Sequence, residues 1–372
     1  MSIEIKEVLS KSDLKKFIRF PIDLYKKNEY YVPPMKSDEI TSLTKGKNPS
    51  LEHSKLRMWL AYDGKQIIGR IAGIIHGIES IEKKLVRFGW FDFIDDESVS
   101  KALIKTVEEW ALSEGLEGIH GPLGFTDMDF EGMLVDGFDE MATIATIYNF
   151  SYYVDHMNSM GFEKSVDWVE LAIPVPEKFS DRTERLIEMI SKKYEIRIVP
   201  FKSAKDMLPY TDQLFQTLNK AFGKLYGFHE LTQNEIDFYI KKYFDFVLPG
   251  YNNMVVDKDD KVVGFAVSMP SLSKAFRKAK GNMFPFGILH ILKAVKFNDI
   301  ADLYLIGTDP EYQSKGVANL LMSEGLKAYN KDGIKVTYTN PMLENNTGVL
   351  NQMMKYSGKI RKRRRCFIKS ID

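Results

Sequence analysis

The amino-acid sequence repeats one arrangement of apolar runs and turn residues in the two halves of its 372 residues. In the first half, residues 58–73 place apolar runs on both sides of Asp63 and Gly64, a pair typical of the tight turn between antiparallel strands. In the second half, residues 254–268 repeat the pattern with a turn at residues 258–260. Each segment therefore predicts a β-hairpin, and the recurrence predicts an internal duplication.

The hairpin of each half is followed by the order strand, amphipathic helix, strand. Leu103 and Val107 in the first helix, and Val317 and Leu321 in the second, have helical spacing and mark the face that packs on a sheet. The predicted elements are the strands at 86–93 and 118–123 around a helix at 98–113, and the strands at 302–308 and 335–339 around a helix at 316–330.

These patterns predict an α/β (α+β) fold of two domains, each a mixed, mostly antiparallel sheet flanked by helices. Residues 174–181 contain two prolines and several polar residues, which interrupt both helix and strand. We therefore predict a first domain at residues 1–175 and a second domain at residues 176–372.

Composition excludes several classes of protein. The 52 basic and 51 acidic residues nearly cancel, so no general attraction to nucleic acid is expected. The single cysteine, Cys366, excludes an intramolecular disulfide, and with no signal peptide at the start this favours the cytoplasm. The most apolar stretch, residues 283–295, is too short to span a bilayer. The six histidines lack metal-ligand spacing, so no metal site is expected.

The segment at residues 303–322 carries the clearest chemical signal. A predicted strand runs into Asp309 and Pro310, and a short polar loop then opens directly into a helix. The first amides of a helix lack internal partners and the helix dipole adds positive potential, so this loop predicts an anion site suited to a diphosphate. Gly316 allows close approach of the backbone, and Lys315 adds positive charge.

These residues resemble the signature of the GNAT superfamily of acyltransferases, which has a strand, then V-x-P, then Q/R-x-x-G-x-G/A at a helix start. Residues 308–310 stand for the first motif and residues 313–318 for the second, and the resemblance in element order covers residues 195–372. It implies binding of acetyl-CoA or another acyl-CoA through Thr308, Gln313, Ser314, Lys315, Gly316, Val317, Ala318 and Asn346.

The resemblance also implies a reaction in which an amine attacks the thioester directly. The backbone amide of Thr308 would stabilise the oxyanion, with Gly307 beside it permitting a β-bulge. Asp302, at the start of the strand, would be the general base, although a solvated strand end is the alternative. The family's usual acid is a tyrosine on the last helix, but that position holds Met354, so Tyr356 is the candidate acid.

The first half resembles a second copy of this domain that has lost the phosphate loop. Residues 94–101 carry three carboxylates and no glycine at the helix start, and these charges would repel phosphates. Residues 149–153 and 160–162 still resemble the closing motif of the superfamily. We predict that the first domain shapes the substrate site or the scaffold, with an independent binding module as the alternative.

Two further segments each have two interpretations. The basic run at residues 359–365 is either a polyanion patch or, as we predict, an edge strand whose charges face outward. The insertion at residues 271–299 sets basic residues beside an apolar stretch. We predict a helical lid over the core, and a surface that rests on a membrane or encloses a long acyl chain is the alternative.

Together, these features predict a cytoplasmic N-acyltransferase, in the simplest case an N-acetyltransferase, acting on a small-molecule amine. No nucleic-acid partner and no integral membrane segment are expected. A long-chain donor with a lipid-like amine is one alternative, and a non-catalytic CoA-binding regulatory module is another. An aminoacyl-tRNA-dependent transferase is a third, which the phosphate loop opposes because that donor has no pyrophosphate arm.

Overall fold

The computed structural model describes residues 2–243 and 247–371, and the chain forms two compact units. The first unit contains the residues up to Val169, residues 272–291, and the chain from Arg361 onward. The second unit contains Glu170–Ser271 and Leu292–Ile360. Neither unit is continuous in sequence, and the division between residues 175 and 176 stays a prediction about the domains.

The regular elements are numbered along the chain. The strands are β1 (Ile3–Glu7), β2 (Ser54–Asp63), β3 (Gln66–His76), β4 (Leu85–Phe93), β5 (Gly118–Gly121), β6 (Met133–Asp136), β7 (Glu163–Pro174), β8 (Arg197–Ile198), β9 (Asn252–Val256), β10 (Val262–Pro270), β11 (Ile300–Thr308), β12 (Val336–Thr339), β13 (Met342–Leu343) and β14 (Lys359–Ser370). The α-helices are α1 (Lys11–Leu24), α2 (Lys36–Ser42), α3 (Gly77–Glu82), α4 (Glu97–Ser113), α5 (Tyr152–Ser159), α6 (Asp181–Tyr194), α7 (Thr211–Phe222), α8 (Gln233–Tyr243), α9 (Ser273–Ala279), α10 (Gly287–Lys296), α11 (Val317–Asp332) and α12 (Thr347–Lys355).

The first unit is built on an antiparallel sheet that turns parallel at one position. β2 and β3 form the hairpin predicted around Asp63, β1 pairs with β2, and β4 pairs with β3. β5 pairs with β4 in parallel, because the crossover helix α4 returns the chain to the same end of the sheet. Leu103 and Val107 of α4 are fully buried in the core of this unit, as their spacing predicted.

The second unit repeats this order. β9 and β10 form the second predicted hairpin, β11 pairs antiparallel with β10, and β12 pairs in parallel with β11 after the crossover helix α11. The repeat predicted from the sequence is therefore confirmed as a repeat of topology. One glycine in each unit makes the packing possible: a Cβ on Gly69 would lie 2.7 Å from Leu103, and one on Gly264 would overlap Val317. In both units, the crossover helix packs directly on the backbone of the hairpin.

The basic run at residues 359–365 does not form an edge strand, so that prediction was wrong. β14 lies between β5 and β7 in the sheet and also pairs with β6. Lys362 and Arg364 are fully buried, and Arg364 donates to the carbonyl of Ile147 at 2.7 Å. Arg365 donates two hydrogen bonds, of 2.8 and 3.1 Å, to the carboxylate of Asp167. The run supplies internal partners instead of an outward-facing charged surface.

The insertion at residues 271–299 is helical, as predicted, and contributes α9 and α10. Its residues 272–291 belong to the first unit, where the amide of Lys36 donates to the carbonyl of Gly281 at 3.0 Å. Among the described residues, none of the helices combines the length and the apolar character that a membrane crossing requires.

Candidate active site

The candidate site begins at the loop between β11 and α11, in the second unit. Pro310–Tyr312 forms a short 3-10 turn, which the Asp309 carboxylate caps by accepting from the amide of Glu311 at 3.0 Å. Ser314 and Gly316 then have positive φ angles of 64° and 78°, so the chain reverses sharply before α11 begins. Glycine adopts this conformation without strain, which explains its position at the helix start.

The start of α11 presents backbone donors to the outside of the loop. The carbonyl of Gly316 accepts from Leu320, but no described residue accepts from the amides of Gly316, Val317, Ala318 or Asn319. Unpaired amides of this kind, added to the helix dipole, form a site for an anion. No carboxylate of the described residues caps this turn, so none of these residues competes with an anion for its donors.

Some of the other loop residues are exposed to solvent, and others make contacts within the chain. Gln313 and Ser314 are exposed and available to a ligand. The amide of Lys315 donates to the carbonyl of Tyr312 at 3.2 Å, so it is not one of the open donors. The ammonium of Lys315 lies 4.6 Å from the centre of the Tyr312 ring and 5.7 Å from that of Tyr194. These cation–π contacts hold the positive charge beside the loop.

A β-bulge interrupts β11 four residues before its end. Val267 of β10 pairs with Leu305, but the next residue, Ser268, pairs with Leu303, so Tyr304 is the extra residue. The bulge therefore lies at Tyr304 and not near Gly307, where the sequence interpretation expected it. Gly307 is required for packing instead, because a Cβ there would lie 2.6 Å from the ring of Phe265.

The bulge decides which amides of β11 face the neighbouring strand β12. Before it, the carbonyl of Leu303 accepts from the amide of Asn340 at 2.9 Å, on the β12 side. After it, the amide of Asp309 donates to the carbonyl of Val263 in β10 at 2.9 Å. Because ladder partners alternate along a strand, the amides of Ile306 and Thr308 point away from β10. The bulge therefore orients the Thr308 amide toward the side of β11 on which β12 pairs earlier in the strand.

β12 does not follow β11 beyond the bulge. Their parallel pairing ends at Leu303 and Thr339, whereas β11 continues to Thr308. In the described part of the chain, the end of β11 therefore has an open edge next to the loop that starts α11. Asn340 lies where the two strands part, and its side-chain oxygen is buried with no hydrogen-bond partner among the residues that the structure describes. A buried carbonyl oxygen of this kind is stabilised when a ligand N–H reaches it.

Asp302, the candidate base, lies on β11 two residues before the bulge. Its side chain is almost completely buried, with 1% of its surface exposed, so it is not a solvated strand end. The hydroxyl of Tyr304 donates to Asp302 Oδ2 at 3.3 Å. Burial, followed by the charge of Asp302, raises the pKa of Tyr304 well above its usual value, so this hydroxyl stays protonated.

Tyr356, the candidate acid, lies directly after α12 and contacts the first turn of α11. Its hydroxyl donates to Asn319 Oδ1 at 3.3 Å, and Gln352 donates to the same oxygen at 2.9 Å. Burial raises the pKa of Tyr356, so the phenol is held in its protonated form. Asn319 and Gln352 were not identified from the sequence, because only the packing of α12 against α11 brings them together. Asn346 is the N-terminal cap residue of α12, and its side chain makes no capping hydrogen bond.

The corresponding helix start in the first unit is closed. Asp96 is the N-cap of α4, and its carboxylate accepts from the amide of Ser98 at 2.8 Å. Hydrogen bonds from the Ser98 side chain and amide lower the pKa of Asp96, so the carboxylate stays charged. A negative group thus occupies the place that α11 leaves open to an anion. This charge opposes the binding of a phosphate at the start of α4.

The first unit contains a cavity beside the point where the pairing between β4 and β5 ends. Arg70 and Asp92 form a buried ion pair in its wall, with Nε and Oδ2 2.7 Å apart. The Tyr31 hydroxyl is buried there with no hydrogen-bond partner among the described residues, and Phe130 and Met133, from the segment at residues 127–146, also line the cavity.

Two carboxyls of the same segment have strongly raised pKa values, and burial raises the pKa of Glu131 well above its usual value. Burial and, to a lesser degree, the neighbouring charges of Asp129 and Glu79 raise the pKa of Asp127 to about 7, although Arg87 opposes this. The sequence pattern gave no sign of this group, because its environment comes from distant segments.

Known proteins share this sequence pattern and this fold. Residues 211–351 match the model of the acetyltransferase (GNAT) family. Protein YghO of Escherichia coli K12 is 27% identical over 376 residues, which covers 99% of this chain and 95% of YghO. The bacterial ceramide synthase of Caulobacter vibrioides is 24% identical over 351 residues, which covers 90% and 88% of the two chains. The solved structure of a tandem GNAT protein from the clavulanic acid biosynthesis pathway has a TM-score of 0.59 at 10% identity, covering 99% and 98% of the chains.

Proposed function

We propose that this chain transfers a long acyl chain from CoA to the primary amine of a lipid-like molecule. The chain belongs to the GNAT superfamily of acyltransferases, with a tandem arrangement of two GNAT-like units. The observation that carries the use of acyl-CoA is the set of unpaired amides at the start of α11, beside the open edge of β11. A diphosphate fits these donors, and the extended arm that follows it in CoA fits an unpaired strand edge.

Residues of the second unit fit the parts of the donor. The amides from Gly316 to Asn319 would hold the diphosphate, and the exposed Gln313 and Ser314 would add side-chain hydrogen bonds. Asn340 offers a buried oxygen that lacks a partner, which suits an amide N–H of the pantetheine arm. Bound acyl-CoA supplies an activated thioester carbonyl.

In the proposed reaction, the amine nitrogen adds to the thioester carbonyl and forms the C–N bond, and the C–S bond then breaks to release the CoA thiolate. Asp302 would take the proton that the amine loses, and Tyr356 would protonate the departing thiolate. The amide of Thr308 would donate to the developing oxyanion. The raised pKa of Tyr356 supports its role as an acid, because the proton is still present at neutral and mildly alkaline pH.

Two observations favour a long acyl chain over acetyl. Half-buried apolar side chains of β11 and of neighbouring elements pack on one small core cluster, among them Leu303, Ile306, Met322, Met342 and Leu350. Flexible methionine and leucine side chains adapt to a chain of variable shape. In addition, the Caulobacter relative is named for ceramide, a lipid in which a fatty acyl group is joined to an amine. Because acyl-CoA is an intracellular donor, we also propose a cytoplasmic location.

A thiol-release assay tests this proposal with two donors and two acceptors. Palmitoyl-CoA with a long-chain 2-amino-1,3-diol should release CoA faster than acetyl-CoA with a short amine. Asp302→Asn and Tyr356→Phe should each lower kcat by about a hundredfold, the lower end of general acid–base effects. Tyr329→Phe is a matched control, because it removes another buried hydroxyl of the same unit, one bonded to Ser268.

Other outcomes of the assay contradict the proposal in different ways. Faster turnover with acetyl-CoA and a short amine would assign an N-acetyltransferase. Calorimetric binding of CoA without thiol release from any pair would assign a non-catalytic module. If CoA did not bind at all, the reading of the α11 loop as a diphosphate site would be wrong.

A further inference from the structure

Residues 271–298 form a segment with six cations and no acidic side chain. We call it the basic apolar segment. All six cations are exposed, and none makes an ion pair with a residue in the ranges 2–243 and 247–371. They are Lys274, Arg277, Lys278, Lys280, Lys293 and Lys296. In a chain whose formal net charge is only +1, this short stretch of sequence is strongly positive.

Large apolar side chains of the same segment are exposed to water. Phe284 and Phe286 are 74% and 68% exposed, Leu289 and Leu292 are 59% and 60% exposed, and Phe297 is 67% exposed. Phe286, Leu289 and Leu292 follow one another at intervals of three residues, leading into and along α10. This spacing aligns them on one side of the helix. Exposure of so many large apolar groups in one short segment is typical of an interaction surface.

The opposite side of α10 is packed, so the exposed row has a fixed orientation. Gly287 and Ile291, four residues apart, are buried on that side. The amide of Ile288 donates to the carbonyl of Met283 at 2.8 Å, which closes the start of the helix. The helix is therefore held with its apolar row outward.

We propose that the basic apolar segment docks the protein on an anionic lipid bilayer. The aromatic and leucine side chains would enter the interfacial region, and the cations would meet the lipid phosphates. Charge selects this occupant over a second copy of the chain, because two such segments face to face would set six positive charges against six. The proposal concerns where the protein works, and it is independent of which acyl donor the site uses.

Vesicle sedimentation of the full chain tests the proposal. The protein should pellet with vesicles of equal parts phosphatidylcholine and phosphatidylglycerol, and far less with phosphatidylcholine alone. Added salt should release it, because screening weakens the charge contribution. Lys293→Glu with Lys296→Glu should weaken binding by about thirtyfold or more. Phe286→Ser with Leu289→Ser should weaken it to a similar degree.

Matched control variants separate the contribution of this segment to vesicle binding from effects of net charge and of exposed apolar surface elsewhere. Lys26→Glu with Lys27→Glu makes the same change in net charge on exposed residues of the first unit, and should leave binding unchanged. Leu9→Ser with Ile81→Ser removes two apolar side chains that are 83% and 81% exposed, and should also leave it unchanged. Thermal melting of every variant checks that the fold is intact.

Three results would overturn the proposal. In the first, the wild-type chain remains in the supernatant with both kinds of vesicle. In the second, the variants of the basic apolar segment pellet as well as the control variants do. Alternatively, sedimentation velocity would show a dimer in solution that Phe286→Ser with Leu289→Ser dissociates, and the surface would then be an interface between copies.

Discussion

A glutamate at Gly316 tests the diphosphate site most directly. At this position a side chain starts from the loop whose amides are open, and we take about 5 Å as the order of magnitude of the separation between the new carboxylate and a bound diphosphate. With an effective dielectric constant of about 20, the repulsion at this distance is about 3 kcal/mol per pair of unit charges. Because the loop is partly exposed, we take about 2 kcal/mol, which corresponds to a loss of CoA affinity of roughly thirtyfold.

Backbone strain and crowding have to be separated from this charge effect. A non-glycine residue at φ 78° costs about 1–2 kcal/mol, and the added Cβ would lie 2.6 Å from Ile190. Gly316→Gln has the same shape, strain and crowding without the charge. Gly333→Glu places the same charge at the other end of α11, where φ is 76° and no atom lies within 4 Å of the added Cβ.

Isothermal calorimetry with CoA at low and high salt gives the comparison. We expect Gly316→Glu to bind CoA about thirtyfold more weakly than Gly316→Gln at low salt, and the difference to shrink at high salt. Gly333→Glu should bind like the wild type while losing some stability. Equal CoA affinity of the glutamate and glutamine variants at Gly316 would refute the electrostatic argument, since only charge distinguishes them.

Two further predictions follow from buried polar groups. Asn340→Ala should raise the KM for acyl-CoA about fivefold, by the loss of roughly one hydrogen bond, with no fall in Tm because its oxygen has no partner in the described part of the chain; an unchanged KM would remove Asn340 from the site. Arg365→Met should lower the free energy of unfolding by about 3 kcal/mol at neutral pH, because Asp167 would be left buried with weaker partners. Although burial alone would raise the Asp167 pKa, hydrogen bonds from Arg365 and Lys164 lower it below 3.8. This stabilisation is therefore present above the unfolded-state pKa and disappears as pH falls through the folded-state value. Urea unfolding at neutral pH and at pH about 3 should show a smaller acid-induced loss in the variant than in the wild type, and equal losses would contradict the assignment.

Much of the fold could be predicted because its signals are local. The Asp63–Gly64 turn, the alternation of the flanking strands and the helical spacing around Leu103 each concern a few neighbouring residues. The loop before α11 is also local, because a glycine with positive φ and the free amides of a helix start are properties of one short segment. These features led from the sequence to the GNAT resemblance, which the family match over residues 211–351 supports.

Pairing between distant segments decided the remaining features. The bulge lies at Tyr304 because the register between β10 and β11 is set by the packing of both strands, and no residue type marks it. The run at residues 359–365 looked like a surface because its partners are far away in sequence: Asp167 for Arg365, and the carbonyl of Ile147 for Arg364.

The sequence by itself determined the repeated order of strands and helices and the loop that offers amides to an anion, because both depend on interactions within one turn or one strand. The tertiary structure decided which amides of β11 face an open edge, which carboxylate is buried beside Tyr304, and which charges lie inside. Those properties depend on the dielectric environment and the partners around each group, and both are supplied by segments that only folding brings together.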